Sequence, residues 1–349
     1  METRKWAASR YTAFWRAGSL ILAVAVLGCT VALGGDVTTP MDQFMMKRGF
    51  TVVPLRRGSF NHLYCHAKLR GKSIVCLVDT GVTDLMVDTR FSGGLKPLGP
   101  TATPAYGLFG RFADELPTVW VDSFEIAGVV FTNQEALVAS LHRNERVKTG
   151  SYIPTGTPGE EEEAIIGMGL LRNMHAWLDC YAPRLYVRLE KPDGPICAGM
   201  DQSFRASGFA VAPAKPLGMK LFAEAEVNGK PALFEVDTGE FDTTIALDQL
   251  DAFQLANKER LGMATDLGGK KKDLTYALLE SLTLGEFELK RYPVGTQGMP
   301  ILTQHNDELK KRGLPPVIGL LGPDVLDKSR AFIDCDGGRM FLMPEKTKH

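Results

Sequence analysis

Cys76-Leu77-Val78-Asp79-Thr80-Gly81 recurs in the same pattern as Phe234-Glu235-Val236-Asp237-Thr238-Gly239, 158 residues further on (237 − 79). Each copy is a short apolar, β-prone run that ends in Asp-Thr-Gly. The pattern predicts a strand that delivers one carboxylate to a tight turn, with glycine supplying backbone freedom. One Asp-Thr-Gly arises readily by chance. Two in matching surroundings restrict the chain to folds built from a duplicated unit.

The surroundings do match. Gly49-Phe50-Thr51-Val52-Val53-Pro54 parallels Gly208-Phe209-Ala210-Val211-Ala212-Pro213. Lys68-Leu69-Arg70-Gly71-Lys72 parallels Glu226-Val227-Asn228-Gly229-Lys230, so each motif strand is predicted to return from a glycine turn. Ile165-Ile166-Gly167-Met168-Gly169 parallels Leu320-Leu321-Gly322-Pro323-Asp324, and Trp177-Leu178-Asp179-Cys180 parallels Phe332-Ile333-Asp334-Cys335. Both of these pairs keep an offset of 155 (322 − 167). A repeat this long means two homologous lobes rather than a solenoid of small units. The boundaries read as a first lobe over 49–190, an inter-lobe linker over 191–207, a second lobe over 208–343 and a tail over 344–349.

A chain of 349 residues with 36 Gly and 20 Pro accommodates two turn-rich, mostly β lobes. A net charge of −1, with no basic cluster interleaved with aromatics, points away from nucleic acid. No Gly-x-Ser-x-Gly elbow and no phosphate-cradling glycine loop is present. Six cysteines, Cys29, Cys65, Cys76, Cys180, Cys197 and Cys335, are too few for a disulfide framework. Cys180 and Cys335 read as buried thiols. His62, Cys65, His66 and Cys76 cluster in sequence, but in a strand the histidines share a face that Cys65 leaves, so no metal site is expected.

With its two Asp-Thr-Gly motifs, each followed by an apolar-apolar-Gly element, the chain resembles the aspartic proteases over residues 49–343. It is pepsin-like in having two lobes and retropepsin-like in lobe size. The resemblance implies two β-barrel lobes with a catalytic cleft between them, and an endopeptidase in which Asp79 and Asp237 activate water against a peptide bond. It implies that Thr80 and Thr238 cross-brace the two turns, that Gly81 and Gly239 present N–H groups near the carboxylates, and that the strands before Gly167 and Gly322 support them. It further implies a hairpin flap, for which Tyr106-Gly107-Leu108-Phe109-Gly110 is the candidate, with Tyr106 and Phe109 contacting substrate and Gly268-Gly269-Lys270 as its counterpart. The substrate is a peptide or protein, no cofactor is needed, and a monomer suffices because both aspartates come from one chain.

Two departures stand out. Val82 and Glu240 follow the two glycines where the family usually has Ser, Thr or Ala. Glu240 either places a third carboxylate beside the dyad, raising its pH range, or faces solvent. A catalytically inactive protein that binds peptides or an envelope partner in the same cleft is the alternative function.

Residues 1–34 carry Arg4, Lys5, Arg10 and Arg16 ahead of an apolar run from Leu20 to Leu33, the pattern of an export signal. The run is shorter than the ~20 residues a spanning helix needs. Val26-Leu27-Gly28-Cys29 resembles a lipoprotein cleavage box, in which Cys29 is lipidated; simple secretion and a retained anchor remain open. Export to the cell envelope or medium is expected, with 35–48 as a linker.

Overall fold

Alternation of residue types builds the lobes. In the hairpin Leu63–Leu69 and Lys72–Val78, Cys65, Ala67 and Leu69 face Ile74, Cys76 and Val78 in one buried layer, while His66 and Lys68 are exposed. Leu221, Ala223, Ala225 and Val227 against Ala232, Phe234 and Val236 repeat the arrangement in Lys220–Val227 and Lys230–Val236. Period-two burial of this kind fixes strand register, since a slip of one residue would turn the apolar set to water. The computed structural model describes residues 38–58, 61–101, 105–107, 110–141, 162–265, 271–304 and 306–344.

Each lobe holds an eight-stranded sheet of the same topology. In spatial order the first runs Arg56–Arg57, Leu63–Leu69, Lys72–Val78, Ala164–Ile166, Leu85–Asp88, Val129–Ala139, Pro117–Ile126 and Lys96–Pro100. The second runs Ala214–Leu217, Lys220–Val227, Lys230–Val236, Val317–Leu321, Thr244–Ala246, Phe287–Gln297, Lys271–Leu284 and Asn257–Thr265. An extra pairing closes each sheet on itself, Lys68 with Glu125 and Leu69 with Phe124 in one, Glu226 with Thr283 and Val227 with Leu282 in the other. The fold is therefore mostly β, with two barrel lobes of matching strand order.

A six-stranded sheet joins the lobes, three strands from each: Thr51–Pro54, Arg184–Val187, Trp177–Asp179, Phe332–Asp334, Arg339–Leu342 and Ala210–Ala212. Its centre pairs the two halves antiparallel, Trp177 with Asp334, Leu178 with Ile333 and Asp179 with Phe332. One face packs Trp177, Tyr186, Phe204, Phe332 and Phe341 into an aromatic layer. Two helices cover that layer. Gly194–Ala206, capped by the Asp193 carboxylate on Ile196 N–H (2.8 Å), occupies the stretch between the lobes. Pro40–Met46, within the segment expected to be a linker, buries Met45 completely and places Asp42 where Tyr186 Oη donates to it at 2.9 Å. Short helices Pro300–Thr303 and Asn306–Lys311 fill the second loop region. Cys180 and Cys335 are buried and unbridged. Cys29 and the N-terminal signal-like segment lie outside the described residues. Among those that are described, no helix is long and apolar enough to cross a membrane.

Candidate active site

The two Asp-Thr-Gly turns meet between the lobes. Each motif strand runs parallel to the strand before its supporting glycine, Ala164–Ile166 beside Lys72–Val78 and Val317–Leu321 beside Lys230–Val236. Those strands hold the aspartate backbones: Asp79 N–H donates to Ile166 O and Asp237 N–H to Leu321 O, both at 3.1 Å. Gly167 and Gly322 then pass under the chain that leaves each turn. A Cβ on Gly167 would lie 2.3 Å from Asp84 O, and one on Gly322 would lie 2.4 Å from Asp242 C, so no side chain fits at either place.

The threonines tie the turns together. Thr80 Oγ1 donates to Val236 O (2.8 Å) and accepts from Thr238 N–H (3.1 Å). Thr238 Oγ1 donates to Val78 O (2.8 Å) and accepts from Thr80 N–H (3.1 Å). Both threonines are buried and each hydroxyl donates once and accepts once across the pair, so the pair sets the separation of the turns. Each glycine lies against the opposite carboxylate: a Cβ on Gly81 would stand 2.3 Å from Asp237 Oδ2, and one on Gly239 would stand 2.3 Å from Asp79 Oδ2. Gly81 N–H donates to Asp79 Oδ1 at 2.8 Å and Gly239 N–H to Asp237 Oδ1 at 2.9 Å.

Each glycine thus brings the opposite carboxyl up to its own turn, and the two carboxyls act on one another through their charge. Burial, and then the charge of Asp237, push Asp79 well above the usual carboxylate range. One proton is thus retained by the pair where isolated aspartates would have lost both.

Glu240 is turned inward enough to matter. It is half-buried, its carboxylate accepts from Phe241 N–H at 2.9 Å, and burial with the charge of Asp237 raises it to about 8. His62 Nε2 donates to the Glu240 carbonyl at 3.1 Å, linking the first lobe to the second turn, and burial lowers its basicity. Around Val82 the first lobe is apolar: Tyr64, Leu77, Met86, Leu116 and Ile165 form a buried cluster against which Val82 and Ala113 pack.

Ala113 ends a two-stranded hairpin, Ala105–Gly107 with Gly110–Ala113, in which Tyr106 pairs with Arg111. The stretch expected to be the flap is therefore a hairpin, and its base packs in the same cluster as Val82, next to the first turn. Phe109 lies outside the described residues. So do residues 266–270, which hold the expected counterpart Gly268-Gly269-Lys270.

Sequence reasoning missed Lys220 and Glu235. Lys220 forms an ion pair with Glu235 close to both aspartates. The signal lay in the repeat: Lys220 and His62 each precede their aspartate by 17 residues, and Glu235 stands where the first copy has Leu77. Of the four residues weighed as a metal set, Cys65 pairs with Cys76 inside the barrel and His66 points out.

Comparison with known proteins agrees with the geometry. The aspartyl protease family model matches residues 223–325, from the second motif strand's hairpin to the helix after Gly322. No curated protein matches the chain. A retropepsin-like aspartic protease from Rickettsia conorii is similar at 20% identity, covering 40% of this chain and 89% of its own, with a TM-score of 0.26. Basic 7S globulin from soybean is similar at 12% identity, covering 84% of this chain and 94% of its own, with a TM-score of 0.37. The match to the aspartyl protease family falls on the second of two repeats that share strand order, motif and turn bracing.

Proposed function

We propose that the chain is an aspartic endopeptidase in which Asp79 and Asp237 act as one pair on a peptide or protein substrate. The observation that carries this reading is the reciprocal threonine bracing, which holds each glycine against the opposite carboxylate and so sets the two carboxyls together. The proton held by the pair hydrogen-bonds and polarises the scissile carbonyl. The ionised partner takes a proton from water as its oxygen attacks the carbonyl carbon. The tetrahedral diol then collapses as the leaving nitrogen is protonated and the C–N bond breaks, with no covalent enzyme intermediate. Both aspartates come from one chain, so a monomer is the catalytic unit. The basic-then-apolar N-terminus supports an exported protein that works at the envelope or beyond it.

The test is to incubate the full chain with a diverse peptide library from about pH 3 to about pH 8 and read new termini by mass spectrometry, beside Asp79→Asn and Asp237→Asn. Cleavage lost by roughly 10³-fold in both variants is the expected result. Equal cleavage by either variant sinks the reading. Peptide binding without cleavage, retained in Asp79→Asn, would replace it with the peptide-binding alternative, which the inward third carboxylate of Glu240 favours.

A further inference from the structure

The antiparallel ladders before the two turns carry equivalent residues to the same place. Tyr64 pairs with Leu77 and Phe222 with Glu235. His62 and Lys220 each lie two residues before these pairs, at equivalent places in the repeat, as Asp79 and Asp237 lie two residues after them. Side chains two residues apart on a strand share a face, so Leu77 flanks Asp79 as Glu235 flanks Asp237. In the first lobe that flank is the apolar cluster of Tyr64, Leu77 and Met86. In the second it is an ion pair, with Glu235 3% exposed and Lys220 Nζ bonded to its Oε1.

Lys220 is held from a second side as well. Its turn reaches across to the first lobe, where Arg172 Nη1 donates to Gly218 O at 2.9 Å and Met219 meets Gly169. The ammonium feels Glu235, Asp237 and Asp79; Glu235 feels Lys220 and Asp237; Glu240 and His62 complete the titratable surroundings of Asp237. The pair buries the Glu235 carboxylate while Lys220 stays partly exposed; burying a carboxylate is a poor source of stability compared with an apolar side chain, and the first lobe has such a residue, Leu77, at the same point.

We propose that the Lys220–Glu235 pair is a positioning unit of the dyad, present to govern how firmly the two aspartates hold their shared proton. This rests on the endopeptidase reading for its meaning in catalysis, but not for its measurement. An ammonium next to the dyad favours the doubly ionised form and a carboxylate disfavours it. Removing one partner or the other must therefore move the upper limb of the dyad titration in opposite directions. A pair serving only to hold the hairpin would not do this.

The experiment titrates the full chain, carrying ¹³C-carboxyl aspartate, by NMR as wild type, Lys220→Met, Glu235→Leu and Lys220→Arg, with Asp79→Asn and Asp237→Asn for assignment. The pH profile of kcat/KM is read in parallel. Lys220→Met is expected to move the upper dyad transition up by about one pH unit, Glu235→Leu to move it down by about the same, and Lys220→Arg to keep it near wild type. Glu235→Leu installs the residue the first lobe uses, and the double variant Lys220→Met/Glu235→Leu, expected near wild type, serves if a single variant fails to fold. Movement of both single variants in one direction, no movement, or a double variant far from wild type overturns the proposal. Opposite carboxyl shifts without any peptide cleavage would uphold the proposal and sink the endopeptidase reading; cleavage with an unmoved titration would do the reverse.

Discussion

At the scale of single residues the site is crowded, and crowding makes sharp predictions. Gly81→Ala and Gly239→Ala each drive a methyl into the opposite carboxylate, so either should abolish turnover while circular dichroism stays that of a folded β protein. Thr80→Val removes a hydroxyl that serves two buried backbone groups, Val236 O and Thr238 N–H, and should cost about 2–4 kcal/mol in denaturant unfolding. The aspartates, threonines and glycines were legible because the motif occurs twice in matching surroundings. Lys220 and Glu235 were not, because on a strand nothing marks a charged residue as buried until its partner on the neighbouring strand is known. The direction of Glu240 likewise depended on the packing of its turn, which no local pattern specifies.

At the scale of elements, repetition made most of the fold readable. The hairpin before each aspartate, the supporting strand and the central joining strands all follow from two nearly constant offsets. The two helices over the joining sheet were harder to read. Pro40–Met46 is a seven-residue segment, and Gly194–Ala206 begins with Gly and Pro, so both look like connections until the aromatic layer they cover is in view. Met45, fully buried beneath the first helix, gives a test. Met45→Ala should lower stability by about 2–4 kcal/mol and leave kcat unchanged, as measured by urea unfolding beside steady-state kinetics. An equal loss of kcat would mean that this helix reaches the cleft.

At the scale of the whole molecule, carboxyls wholly or partly withdrawn from water set the response to pH. Asp79 is raised well above its ordinary range, Glu235 to about 7 and Glu240 to about 8. Each holds in the folded state a proton that the unfolded chain releases near about pH 4. Their stabilisation is complete below that pH and is lost as pH rises through the folded values. Thermal stability should therefore fall from about pH 5 to about pH 8. Glu240→Gln should flatten the upper part of that decline, gaining on the order of 1–3 kcal/mol over wild type at about pH 9 and little at about pH 5. The same inward carboxyls predict a kcat/KM optimum nearer neutral than strongly acid; a bell centred near about pH 2–3 would contradict it. The joining sheet has a further consequence. Its central strands pair the two halves antiparallel, yet equivalent positions beside the two turns carry different residues: histidine against lysine, leucine against glutamate, valine against glutamate. A peptide has a beginning and an end, and a groove with true two-fold symmetry reads it equally well in both directions. Here the two directions are unequal, so the frame of a duplicated fold has acquired a sense of left and right.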